Sequence, residues 1–316
     1  MRTLRIRGGR PLNGRIRISG GKNAALPVLA ACVCFREPCV VQDCPDLTDV
    51  DAALDILASL GARWSRQGST VTVDPRPVCR WEIPPEQMAK MRGSLFFMGP
   101  LMARFGACTL HMPGGCAIGE RPVDFHLRGL EQLGARVEQR DSISCKGALR
   151  GTDVFLPYPS VGATENLLMA ALGAEGDTRI HNAAREPEIC CLCDFLRSGG
   201  CRISGDGTGT IHIRSGLPLA GQVRLIPDRM EAATYLCAVA SAGGKITLEN
   251  ARGEHLSAVT QVLTRAGCEI LAGEHEITLS AGDLISPGRI ETGPYPEFPT
   301  DAQATVMAAQ IGRAHV

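Results

Sequence analysis

Aromatic side chains are scarce: two Trp, three Tyr and eight Phe make up 4% of the 316 residues. That scarcity argues against a base-stacking platform for nucleic acid. An excess of charge of one sign is also missing. Lys plus Arg and Asp plus Glu both number 33, so nothing marks a general binder of nucleic acid or of membrane surfaces. No stretch approaches the length of a membrane span. The opening Met1-Arg2-Thr3-Leu4-Arg5-Ile6 has neither an apolar run nor a cleavage site. No signal peptide is therefore expected, and the expected location is the cytoplasm. Basic residues gather in 1–22 as alternating members of what reads as a β-hairpin.

Cysteine, by contrast, is plentiful at 14 residues, but without the spacing of a disulfide framework or a zinc site. The densest cluster, Cys190-Cys191-Leu192-Cys193, lacks a second pair or a histidine at metal-ligand spacing. It falls in a predicted helix over 188–198, where Cys acts as a small apolar residue. No metal and no cofactor are expected, and the thiols should be reduced. Hydrophobic residues make up 44% of the chain, enough for real cores, and the length suggests two domains.

The chain repeats itself. Each unit reads as a strand, an Ala/Leu-rich helix, a second strand, a second helix ending at glycine, and a closing hairpin. Gly61, Gly134, Gly200 and Gly267 stand 73, 66 and 67 residues apart. Each suits the left-handed position just past a helix C-terminus. Thr178-Arg179-Ile180-His181-Asn182 and Lys245-Ile246-Thr247-Leu248-Glu249-Asn250 are the most openly matched strands. The alternation predicts sheets with helices on one face. A fifth unit begins near Arg289, and the pattern stops inside its first helix. The final 311–316, Ile-Gly-Arg-Ala-His-Val, departs from the helical pattern and resembles a translated sequencing adapter. The source reading frame is therefore expected to continue differently.

The most informative segment is His111-Met112-Pro113-Gly114-Gly115-Cys116-Ala117-Ile118-Gly119-Glu120-Arg121-Pro122-Val123-Asp124. A strand over 109–112 is predicted to enter a glycine-rich loop. The loop opens onto a helix whose first turn is Arg121-Pro122-Val123-Asp124. A helix N-terminus supplies free N–H groups and partial positive charge, and Arg121 adds a full one. A thiol there can have a lowered pKa. Cys116 is thus a candidate acid or nucleophile acting on a phosphorylated substrate; the alternative is a buried structural thiol. Further cations recur near first-helix starts: Lys22, Arg92 and Arg229. A cation is unfavourable there. Each alone could be a solvated charge or a salt bridge, but three at matching positions look like an anion-binding interior between domains.

Gly21-Lys22-Asn23-Ala24-Ala25-Leu26-Pro27 resembles the N-terminal signature of the UDP-N-acetylglucosamine 1-carboxyvinyltransferases, of the EPSP synthase superfamily. Pro113-Gly114-Gly115-Cys116-Ala117-Ile118-Gly119, followed by Arg121-Pro122-Val123-Asp124, is similar to their catalytic loop. Ser160-Val161-Gly162-Ala163-Thr164, Asn182 through Glu188, Pro227-Asp228-Arg229 and Phe298-Pro299-Thr300-Asp301 follow in the family's order. The resemblance covers the chain to about Gln310. It implies an α/β fold, an inside-out α/β barrel of repeated β-α-β-α-β-β units in two domains. The first domain would be 22–227. The second would be 1–21 with 228–316, incomplete in its second repeat. Six units of about 67 residues imply roughly 400 in all, so later arginines and an acid of the family would lie beyond residue 316, and whether the fragment is active stays open.

The implied reaction moves the enolpyruvyl group of phosphoenolpyruvate to the 3′-hydroxyl of UDP-N-acetylglucosamine and releases phosphate. Cys116 carries over as the proton donor to C3, and Asp301 as general base and sugar contact, with a helix N-cap as its alternative. Lys22 and Arg121 suit the phosphate and carboxylate of phosphoenolpyruvate, and Asn23 adds hydrogen bonds. Arg92 and the run Arg121, Pro122, Val123, Asp124, Phe125 resemble nucleotide-sugar contacts, although Asp124 could simply favour the helix start. Phe125 replaces a more usual Leu, and Tyr158-Pro159 stand where the family often has a basic residue, which puts one diphosphate contact in doubt. Small molecules are the expected partners, with no nucleic acid and no membrane, and a monomer is expected. Two other readings stay open: the sister 5-enolpyruvylshikimate-3-phosphate synthase, which lacks such a cysteine loop, and a non-catalytic α/β repeat binding protein.

Overall fold

The computed structural model describes residues 3, 5, 8–88, 92–111 and 123–310. The chain divides into two compact units: Met1–Gly21 with Pro227–Val316, and Lys22–Ile226. Strand β1 (Leu12–Arg17) opens the first. The second then runs through α1 (Lys22–Ala31), β2 (Cys39–Gln42), α2 (Thr48–Leu60), β3 (Arg63–Gln67) and β4 (Thr70–Asp74). Its middle repeat is β5 (Glu82–Ile83), α3 (Pro85–Met88), a 3-10 stretch Arg92–Phe97, α4 (Met98–Phe105), β6 (Ala107–His111), α5 (Asp124–Gln132), β7 (Arg136–Gln139) and β8 (Ser142–Lys146). The third is β9 (Asp153–Phe155), α6 (Val161–Ala171), β10 (Thr178–His181), α7 (Pro187–Ser198), β11 (Arg202–Ser204) and β12 (Thr210–Arg214), followed by β13 (Gly221–Arg224). The first unit resumes with α8 (Arg229–Ala242), β14 (Gly244–Glu249), α9 (Ser257–Arg265), β15 (Glu269–Ala272), β16 (Glu276–Ser280) and α10 (Thr300–Gln310).

Among the described residues the strands form four four-stranded sheets, ordered β1-β14-β16-β15, β13-β2-β4-β3, β5-β6-β8-β7 and β9-β10-β12-β11. All share one pattern. A lead strand pairs parallel with the strand after the first helix, and that strand pairs antiparallel with the closing hairpin. Of the basic N-terminal segment, read as a hairpin, the described part supplies one strand, β1, while residues 1, 2, 4, 6 and 7 lie outside the described residues. Leu12 to Arg17 pair with Gly244 to Glu249, more than 200 residues away, because the lead position of that sheet is filled by a strand remote in sequence. Likewise β13 leads the sheet begun by β2.

The repeat glycines take the expected conformation: φ is 110° at Gly61, 96° at Gly134, 97° at Gly200 and 99° at Gly267. At Gly61 and Gly267 a side chain is doubly excluded, since a Cβ would stand 2.7 Å from the carbonyl oxygens of Pro77 and Asp283 respectively. A second recurring device turns the corner after the middle strand. Asp43, Asn182 and Asn250 all have φ of 54–55°. Nδ2 of Asn182 donates to the Leu156 carbonyl at 3.0 Å, and that of Asn250 to the Ile18 carbonyl at 2.8 Å. Each amide thus closes the end of a parallel pair that has no short turn of its own. Asp43 serves the same corner through an ion pair with Arg224 at 3.0 Å.

In the Lys22–Ile226 unit the first helices lie inside. Every residue of α1 from Ala24 to Ala31 is buried, and so is every residue of α6 from Ala163 to Ala171. Such helices are buried all round rather than on one face. The sheets carry the polar surface, with alternating burial such as Thr70–Asp74. This arrangement leaves only the first turns of α1 and α6 reaching solvent.

Candidate active site

A buried helix with an exposed N-terminus presents unsatisfied N–H groups and the positive end of its dipole. In α1 that turn holds Lys22, half-buried, and Asn23, exposed. Lys22, Arg92 and Arg229 are each the first residue of a helical segment, as the repeat spacing suggests. The ammonium of Lys22 lies 3.3 Å from Asp49. Both side chains remain partly exposed, so the pair orients Lys22 more than it stabilises the fold. The guanidinium of Arg229 lies 5.7 Å from the centre of the Tyr295 ring. Ahead of α1, Ser19 is held three times: its N–H donates to Glu231 at 3.0 Å, its hydroxyl donates to the same carboxylate, and its carbonyl accepts from the Asp228 N–H at 2.9 Å. Asp228 itself caps α8, accepting from the N–H groups of Met230 and Glu231.

Cys116, Arg121 and Pro122 lie outside the described residues, as does the side chain of Arg92, whose backbone opens the 3-10 stretch Arg92–Phe97. On the far side of the loop, α5 begins at Asp124, with Val123 as its N-cap. Of the predicted first turn Arg121-Pro122-Val123-Asp124, the described helix holds Asp124 as its first residue, and the Val123 carbonyl accepts from His126 and Leu127 at 3.0 and 3.2 Å. Val123 is buried, Asp124 exposed, and Phe125 half-buried against the core. Phe125 also lines a hollow with Arg128, Gln132, Phe155, Leu156 and Pro157. Asp301 is exposed in the first turn of α10, which starts at Thr300. It is not the N-cap, since the helix is already under way: the Ala302 N–H donates to the Pro299 carbonyl. Lys22, Asn23, Asp124 and Phe125 belong to one unit, and Asp301 to the other.

Sequence reasoning missed the polar residues beneath the site. In α6, Thr164, Glu165 and Asn166 are fully buried in succession. Asn166 joins the helix following Arg92 to His126 of α5. Burial pushes the His126 imidazole down to about 4, so the ring is neutral. The same effect raises Glu165 well above the usual carboxyl range, with Glu188 and Glu186 adding repulsion. The signal was legible as three adjacent polar residues inside the apolar run Val161–Ala171.

The profile of the EPSP synthase (3-phosphoshikimate 1-carboxyvinyltransferase) family matches residues 6–313. The chain is 45% identical over 309 residues to a UDP-N-acetylglucosamine 1-carboxyvinyltransferase of Shewanella amazonensis, covering 96% of this chain and 74% of that one. The chain belongs to this family. A second relative of the same name, from Klebsiella pneumoniae, is 44% identical with the same coverage. Among solved structures, the enolpyruvyl transferase NikO from Streptomyces tendae superposes with a TM-score of 0.82 at 22% identity, over 96% of this chain and 73% of that one. An EPSP synthase from Acinetobacter baumannii gives 0.66 at 18% identity, over 96% and 70%. The α/β repeat fold expected from the sequence is thus the fold of enolpyruvyl transferases.

Proposed function

We propose that this enzyme transfers the enolpyruvyl group of phosphoenolpyruvate to the 3′-hydroxyl of UDP-N-acetylglucosamine and releases phosphate, a step that feeds peptidoglycan precursor synthesis in the cytoplasm. The observation that carries this reading is the 45% identity, across 96% of the chain, to a UDP-N-acetylglucosamine 1-carboxyvinyltransferase. The exposed Lys22-Asn23 turn of an otherwise buried helix supports it, as a ready anion site.

The chemistry assigns a task to each residue. Cys116 delivers a proton to C3 of phosphoenolpyruvate, which makes C2 electrophilic. The sugar hydroxyl attacks C2 while Asp301 takes its proton. Loss of phosphate from C2 and of a proton from C3 then restores the double bond. Lys22 and Arg121 hold the phosphate and carboxylate, and Asn23 adds hydrogen bonds. Arg92 and the segment Arg121, Pro122, Val123, Asp124 and Phe125 receive the nucleotide sugar. The enzyme acts as a monomer on two small molecules.

The test is phosphate release from phosphoenolpyruvate with each of two acceptors. Release with UDP-N-acetylglucosamine alone is expected; release with shikimate-3-phosphate alone overturns the reading in favour of the sister enzyme. Cys116→Ser should lower turnover about 10²-fold or more and abolish the mass adduct with fosfomycin, the epoxide that alkylates the family's cysteine. Undiminished turnover and adduct would remove Cys116 from its role.

A further inference from the structure

Asn166 is fully buried in α6, and its amide can take only one orientation. The Gly99 N–H donates to its Oδ1 at 2.7 Å, so that atom must be the oxygen. Its Nδ2 donates to the Leu95 carbonyl at 3.0 Å. Neither partner can change role, since a peptide N–H only donates and a carbonyl only accepts. The second Nδ2 hydrogen meets Nδ1 of His126 at 2.9 Å, in preference to the Gly162 carbonyl at 3.4 Å. Nδ1 must therefore accept, and the imidazole proton sits on Nε2. Asn166 thus fixes the tautomer of a histidine on another helix.

The Nε2 edge faces a particular place. A Cβ built on Gly162 would lie 3.3 Å from Cε1 and 3.5 Å from Nε2 of His126. The donor edge of the ring therefore lies along Gly162, in the solvent-reaching first turn of α6. Burial alone lowers the pKa of the imidazole. The charged groups of its own helix, Asp124, Arg128 and Glu131, contribute nothing to the shift, and neither does Glu165 of α6. The three elements that Asn166 joins are also those adjoining the candidate site. Leu95 and Gly99 lie in the continuous helical run from Arg92, and His126 is two residues beyond Asp124.

We propose that Asn166 is a positioning residue for the nucleotide-sugar site: it holds His126 as the Nε2–H tautomer, aimed along the first turn of α6, and ties the Arg92 helix to the start of α5. The proposal rests on the functional reading above for the identity of the ligand.

The experiment uses the unaltered 316-residue chain and two variants. In the unaltered protein, nitrogen-15 spectra of the imidazoles should show His126 as the neutral Nε2–H tautomer at pH 7. An Nδ1–H tautomer or a charged ring overturns the proposal without any substitution. Asn166→Asp removes both amide donors, so Nδ1 must bring its own proton, and His126 should leave the neutral Nε2–H state, as the Nδ1–H tautomer or as a charged ring. Affinity for UDP-N-acetylglucosamine, measured by calorimetry, should then fall about tenfold. His126→Gln retains an acceptor facing Asn166 and a donor facing Gly162; it should stay within about threefold of the unaltered protein, where His126→Leu should match Asn166→Asp. Unchanged affinity in Asn166→Asp, with the unaltered chain binding, removes the proposal alone. No affinity in the unaltered chain removes the functional reading, and this role with it.

Discussion

Helix α6 buries two polar neighbours in opposite ways. Toward α4 and α5, Asn166 has both amide hydrogens and its oxygen engaged. One residue earlier, Glu165 has neither carboxyl oxygen in a hydrogen bond among the described residues, and it feels the charges of Glu186 and Glu188 at the start of α7. Both side chains are fully buried. An amide tolerates burial when its geometry is met, because it carries no net charge. A carboxylate in that place would bear a large desolvation cost, so Glu165 survives by keeping its proton. One side of α6 is specified by direction, the other by protonation.

The largest test bears on the directional side. Gly99 lies against the backbone of α6, and a Cβ there would run into the carbonyl oxygen of Asn166, with the carbonyl carbon only 2.8 Å away. Neither atom belongs to a flexible side chain. Gly99→Ala should therefore force α4 from α6, break the Asn166 hydrogen bonds and cost about 3 kcal/mol or more in urea unfolding. A loss below about 1 kcal/mol would mean that the two helices part easily, and the distinction between the two sides of α6 would fall.

That close approach also marks the limit of what the sequence discloses. The four repeat glycines were legible because a left-handed residue after a helix has essentially one solution. Lys22-Asn23 was legible because it carries charge at the head of an Ala/Leu run. The lead strands were not: β1 finds its partner at β14, and no local pattern encodes a pairing across that distance. Asn166 and Glu165 stood out as polar residues in an apolar run, but what they face was not legible, for a different reason. A buried helix has no polar face, so periodicity assigns its polar residues no direction. Their partners, Gly99, His126 and Glu188, come from three separate segments. Cys116, Arg121 and Pro122 rest on motif likeness alone.

The two sides should answer pH with opposite signs. The folded value of His126, about 4, lies below its ordinary 6.5. The unfolded chain thus binds the extra proton first, and stability should fall as pH drops from about 6.5 to 4, by at most about 3 kcal/mol. Glu165 is raised above its ordinary 4.5. Here the folded chain keeps a proton that the unfolded chain has lost. Its contribution is complete below 4.5 and declines as pH rises, by up to about 1.4 kcal/mol per unit until the folded value is passed. Glu165→Gln supplies a permanently neutral group of the same shape. The variant should match the unaltered protein at pH 4 and exceed it increasingly toward pH 8, measured by urea midpoints. A stability difference independent of pH would show that Glu165 is ionised in the folded state.

Thr164 provides the smallest and most discriminating case. It stands between the two regimes: its Oγ1 accepts from the Ala184 N–H at 3.0 Å and donates to the Ser160 carbonyl at 2.8 Å. The first bond ties α6 to the segment leading into α7; the second closes within its own helix turn. Thr164→Val keeps the shape and removes both, leaving the buried Ala184 N–H unsatisfied, and should cost about 1–2 kcal/mol. Thr164→Ser keeps both bonds and loses one buried methyl, for about 1 kcal/mol. Hydrogen exchange separates the two where stability alone does not. The Ala184 amide should lose protection in the valine variant and retain it in the serine variant. Equal protection in both would mean that this amide is shielded by packing, and that α6 directs its polar contacts through Asn166 alone.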